Sequence, residues 1–86
     1  MLYEALEMMN ELIEGEYDPL VFSFDFPWFL IDNYETMKAE NQVATDILNE
    51  GMPEICAEYE RGQNPSLFIE KIKEQYMLVR AATNFI

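Results

Sequence analysis

Seventeen carboxylates are the main chemical resource of this 86-residue chain, which has five cations and no histidine. Carboxylates can do two kinds of chemistry. A pair across a cleft can hydrolyse a glycoside, and a loop of them can hold a hard cation. The chain is too short and too helical in pattern to leave room for a sugar cleft, and no stretch matches the Asp-x-Asp-x-Asp-Gly calcium loop with its terminal glutamate. Zinc spacing of Cys and His is absent. Without histidine the commonest general base and nucleophile activator is missing. Cys56 is the single cysteine. Its neighbours Glu54 and Glu58 would raise a thiol pKa, and its apolar surroundings make it a small core residue. The residues therefore predict no catalytic group, no metal and no cofactor, and they point to a binding protein.

The placement of the charge is the next signal. Residues 1–60 hold fifteen acids and one base, Lys38, for a net of −14, while residues 61–86 hold two acids and four bases. Such a field repels nucleic acid and anionic membrane and accelerates encounter with basic proteins. No glycine-rich phosphate loop or basic aromatic patch offsets it. The acids also line up. Glu4, Glu7, Glu11 and Glu14 recur at helical spacing, and Asp25, Asp32 and Glu35 can form a second stripe. Asp46, Glu50, Glu54 and Glu58 are each four apart. They make one line only if the segments on either side of Gly51 and Pro53 are nearly collinear. Like charges four apart on a helix cost a few tenths of a kcal/mol each, roughly, and a surface built for stability alone intersperses lysines. The competing reading is an acidic surface that serves only solubility, since salt screens this repulsion. With Trp28 as an apolar anchor, the candidate partner-binding residues are Asp25, Trp28, Asp32, Glu35, Asp46, Glu50, Glu54 and Glu58.

The elements that must carry these residues are helices. Leu2, Ala5, Leu6, Met9, Leu12 and Ile13 form an apolar stripe at helical spacing, as do Phe68, Ile69, Ile72, Tyr76 and Val79 near the other end. Leu30, Ile31, Tyr34 and Met37 are helix-spaced, as are Ile47 with Leu48 and Ile55 with Cys56 and Tyr59. Gly15, Gly51 and Gly62 each follow such a run, where glycine tolerates the left-handed turn past a helix end. Asp18-Pro19 and Asn64-Pro65 read as caps with proline in the first turn. The octapeptide FSFDFPWF, Phe22 to Phe29, alternates as a strand would, but an isolated strand has no partner in this chain. Read as helix, it predicts a short helix from Pro19 to about Phe26 and a second from Pro27 to about Glu40, with one kinked helix as the alternative. On that winding Phe22, Phe26 and Phe29 belong to the core. Phe24 and Trp28 fall outside it and, with Tyr3 and Tyr17, are candidate anchors for a partner. The fold class predicted is all-α, one domain over residues 1–86, a small compact bundle of four to six helices with short connections.

No long apolar run suggests a transmembrane helix, the N-terminus lacks a signal-peptide n-region, and the lone cysteine suits a reducing compartment. The expected location is cytoplasmic.

Four segments, LIEGEYDPLVFSFDF, FLIDNYETM, MPEICAEYE and NPSLFIEKIKEQY, resemble the colicin D immunity-like family of small bacterial self-protection proteins, over about residues 6 to 80. The resemblance is carried by a helix ending in a glycine, a short turn and an aromatic segment, which Pro27 interrupts here. It implies a compact helical bundle that binds a basic, nuclease-like toxin domain and blocks its active site, with acids standing where RNA phosphates would lie. It assigns no contact residues. The alternative from a different class is a non-catalytic adaptor or a homodimeric interaction module whose aromatics form the interface.

Overall fold

A computed structural model describes residues 1–83. Helices α1 (Leu2–Ile13), α2 (Pro19–Glu40), α3 (Gln42–Glu58) and α4 (Pro65–Thr83) follow one another with no strand among the described residues. Each helix packs on its chain neighbours, and α4 closes the ring against α1. Contacts at one end show that successive helices reverse direction. The Met1 ammonium and the Leu2 amide donate to the Glu40 carboxylate at 3.0 and 2.9 Å, so α1 begins where α2 ends. Asn41 Nδ2 donates to the Ala82 carbonyl at 3.4 Å, so α3 begins where α4 ends. The result is an up-down-up-down four-helix bundle.

The local signals account for most helix ends. The Leu20 and Val21 amides donate to Asp18 Oδ1 at 2.9 and 3.1 Å, satisfying two of the first orphan donors of α2. The Ser66 amide donates to Asn64 Oδ1 at 2.9 Å and starts α4 in the same way. Gly15 and Gly62 sit at φ +84° and +89°, where a side chain would be strained. Asn41 alone joins α2 to α3. Its extended backbone ends one helix and its Oδ1 accepts from the Ala44 amide to begin the next.

Two expectations are corrected. Pro27 does not open a new helix: α2 is one element from Pro19 to Glu40 with Pro27 inside it. Gly51 and Pro53 do not separate two helices either, because α3 runs through both. Proline in a helix interior costs about 3 kcal/mol and takes the i+4 donor from a carbonyl, here those of Ser23 and Asn49. Burial outweighs this. Phe22 and Phe26 lie before Pro27, and Leu30 and Met37 lie after it, all buried on one face of α2. Only a continuous helix keeps these four on one line, and each fully buried side chain is worth about 1.5–3 kcal/mol. Ala44, Leu48, Met52 and Cys56 make the same case across Gly51 and Pro53. Gly51 is not a cap but a contact: a Cβ there would stand 2.8 Å from Gln75 Oε1 of α4. Within this bundle Phe22 stacks on Phe26 at 4.9 Å and meets Tyr17 and Phe68 edge-on at 5.3 and 6.2 Å. Phe29, expected in the core, is only partly buried and packs against its edge.

Candidate functional site

The acids that the sequence singles out lie on the surface with few cations to answer them. Among the described residues two ion pairs form, Met1 ammonium to Glu40 at 3.0 Å and Lys71 to Glu58 at 3.2 Å. Other bases are turned toward rings. Lys38, the one base of the first sixty residues, sits 5.6 Å from the centre of the Tyr34 ring, and Arg80 sits 5.7 Å from that of Tyr76. The negative field is left largely uncompensated on α1, α2 and α3.

The eight candidate residues divide into two groups. Asp25, Trp28, Asp32 and Glu35 all lie exposed on α2. Glu50, Glu54 and Glu58 are exposed on α3, and Asp46 is half-buried. Because α3 is unbroken, the line from Asp46 to Glu58 does exist on one helix. It slants, since steps of four residues advance about 40° each on a 3.6-residue helix. It ends beside α4, where Glu58 holds Lys71. Asp25 instead faces the turn between α1 and α2, where the Tyr17 hydroxyl donates to Asp25 Oδ2 at 2.6 Å. The Asp25 end of one line and the Glu58 end of the other thus lie on different flanks of the bundle.

The α2 group has more than charge. Phe24 and Trp28 are 63% and 65% exposed, as the winding argument expects. Val21 and Ile31 lie out with them at 48% and 66% exposed. The order 21, 24, 28, 31 repeats at intervals of three, four and three, which sets these four side chains on one face of α2. It is the face opposite Phe22, Phe26, Leu30 and Met37. Glu35 continues the line one step beyond, and Asp25 and Asp32 each follow a stripe residue, so they border it along one edge. Helix α2 therefore has two apolar faces, one buried in the bundle and one bare along about 15 Å at the helical rise of 1.5 Å per residue. Ile31 is helix-spaced with Leu30, Tyr34 and Met37 but does not share the buried face of Leu30 and Met37. It lies outward, and neither it nor Val21 stands out in the sequence because apolar residues surround α2 on nearly every side. The three-four-three interval was the signal that could have found both.

The remaining candidates are placed differently. Tyr3 is the most exposed of the large apolar residues at 77%, but it borders a groove between α1 and α4 with Tyr76 and Arg80, away from the α2 stripe. Tyr17 is not a free anchor: its ring packs on Phe22 and its hydroxyl is held by Asp25. Burial, the Asp25 bond and charge, and the Glu11 charge push its phenol up to about 12. Cys56 is buried in the core as expected. Burial alone pushes its thiol up to about 12, with no part played by Glu54 or Glu58. Glu40 is held below the usual carboxylate range by the Leu2 amide and the terminal ammonium, which makes it a clasp between α1 and α2. An open depression of about 460 Å³ lies at the far end of α3 and α4, with Tyr59 stacked on Phe68 beside it. No group of three or more His, Cys, Asp or Glu among the described residues could hold a metal ion, and no described helix is long and apolar enough to cross a membrane.

No family model, curated protein or solved structure matches the chain, so the family resemblance rests on its sequence segments alone.

Proposed function

We propose that this protein is an immunity-type inhibitor that binds a basic toxin domain, a nuclease, and occludes its active site. The observation that carries the reading is the bare α2 stripe of Val21, Phe24, Trp28 and Ile31 with carboxylates along its edge. Exposed aromatics inside a charged rim are the usual arrangement of an energetic hot spot. A small bundle has no folding reason to leave Trp and Phe in water side by side. The acids steer a cationic partner and pair with its lysines and arginines, and Trp28 and Phe24 supply the burial that slows its release. The second acidic line, Asp46 to Glu58, contributes to steering more than to contact. The inhibitor acts in the cytoplasm before its partner can, and the family resemblance supports the reading.

The test is co-purification with the toxin encoded next to it and protection of cells that express that toxin. Trp28→Ala should abolish protection without unfolding the protein. Association should slow about tenfold or more between low and high salt. A protein that neither binds nor protects would refute the reading.

One observation favours a second reading, a homodimeric module. The three-four-three interval is also that of a helix-pairing seam. Against it, two copies bring two charges of −12 together. Sedimentation at micromolar concentration separates the two.

A further inference from the structure

Taking as its basis the docking role proposed for α2, we infer that the element seated on this face is an amphipathic helix of the partner. It carries apolar residues at three-four spacing and lysine or arginine along one edge. Three features of α2 lead there.

The first is what the face lacks. Apart from the Ser23 carbonyl opposite Pro27, the backbone amides and carbonyls of the α2 interior are spent on the helix itself, so α2 offers no edge for an incoming strand to extend. Contact must come from side chains alone. The second is shape. Val21, Phe24, Trp28 and Ile31 form a ridge along the helix rather than a socket. A ridge of this kind is covered best by the groove of another helix lying along it, which places knobs between Phe24 and Trp28. The third is the unlike charge of the two borders. Asp25 and Asp32, seven residues apart, flank one edge, whereas Leu20, Pro27 and Tyr34 occupy the equivalent places on the other. In paired helices these flanking positions choose the partner. The edge over Asp25 and Asp32 asks for two cations about two helical turns apart, and the edge over Pro27 and Tyr34 asks for none. Tyr17 holds one oxygen of Asp25, which fixes that carboxylate in place and leaves its other oxygen for an incoming donor. A second copy of this chain meets the charge condition poorly, since its own stripe is bordered by acids.

The experiment titrates the intact protein into three fluorescein-labelled peptides of roughly 21 residues, long enough to be helical, and reads anisotropy. The first has leucine at three-four spacing with lysines along one edge. The second replaces those lysines with glutamate. The third keeps the composition of the first but scatters its leucines around the helix. The first should bind at least about tenfold more tightly than either of the others. It should shift the emission of Trp28, the one tryptophan. Phe24→Ala with Trp28→Ala keeps every acid and should lose the binding. Asp25→Asn with Asp32→Asn should lose the preference for lysine over glutamate. Equal binding of the scattered peptide overturns the inference, as does binding that survives loss of both aromatics. A micromolar dimer that the peptide does not disrupt overturns it in favour of a second copy. If the toxin binds through Trp28 and Phe24 yet no peptide does, the docking face stands and its helical occupant falls. If the toxin is indifferent to both aromatics, the docking face itself falls.

Discussion

Phe24 and Phe26 differ by two positions on one helix, and the structure assigns them opposite fates. Phe26 is fully buried, stacked on Phe22 at 4.9 Å and near Phe29 at 6.1 Å. Replacing it with alanine leaves a cavity where an aromatic stack was, and such truncations cost about 3–5 kcal/mol. A domain of 86 residues has about 4–13 kcal/mol in total at typical stability per residue. Phe26→Ala should therefore remove roughly a quarter of it at the least. Phe24 is 63% exposed, so little more than a third of it is covered. Full burial of a phenylalanine is worth up to about 3 kcal/mol, so the covered part is worth about 1. Alanine's better helix propensity returns about 0.5 kcal/mol, and the net cost of Phe24→Ala should fall below about 1 kcal/mol. Urea denaturation followed by circular dichroism measures both, with the slope checked for constancy so that the midpoints can be compared. Equal losses for Phe24→Ala and Phe26→Ala would mean that the α2 stripe is part of the fold. The docking role of α2 would then have no support, whatever the toxin experiment returned.

Further outcomes follow from single contacts. Gly51→Ala should stabilise the protein by a few tenths of a kcal/mol: alanine in a helix interior gains about 1 kcal/mol over glycine, while the Gln75 amide it displaces is a flexible side-chain end whose Oε1 has no hydrogen-bond partner to lose. A thermal melt lower than that of the native protein would show that Gln75 cannot move. Asn41→Ala removes the cap of α3 and the link to Ala82 and should cost about 1–2 kcal/mol by the same denaturation. The Tyr17 phenol is pushed up to about 12, so folding favours its neutral form. Its contribution is complete below the ordinary tyrosine value of 10.0 and is lost as pH rises from there through about 12. Absorbance titration at alkaline pH should show Tyr17 ionising above the ordinary value of 10.0, and Asp25→Asn should bring it back toward that value.

The features legible in the sequence were those decided within a few residues. Asp18 and Asn64 act through side-chain bonds to amides two or three residues on, and Gly15 and Gly62 through their own backbone, so each does what its residue type allows. Pro27, Gly51 and Pro53 look like boundaries by the same local logic and are not. What overrides them is burial gathered from both sides of each, and the reason for Gly51 comes from Gln75 on another helix. The candidate site divides in the same way. The exposure of Phe24 and Trp28 followed from winding, because Phe22 and Phe26 claim the other side. Val21 and Ile31 stayed hidden because a helix apolar on two faces gives no sign of which face the bundle takes. That Asp25 and Glu58 point to different flanks depends on Tyr17 and Lys71, which lie on other parts of the chain.

Pro27 precedes Asn41 by fourteen positions and Pro53 follows it by twelve. With two antiparallel helices meeting at a single residue, the prolines lie at nearly the same height, within about 3 Å at the helical rise. Each leaves one rung missing from its own ladder. Two adjacent struts weakened at one level give a structure a preferred line of bending, as a score does in a sheet of card. Val21 and Phe24 lie on one side of that line and Trp28 and Ile31 on the other, so a flexion there would alter the curvature of the exposed face. That level falls midway along the exposed stripe of α2, between Phe24 and Trp28.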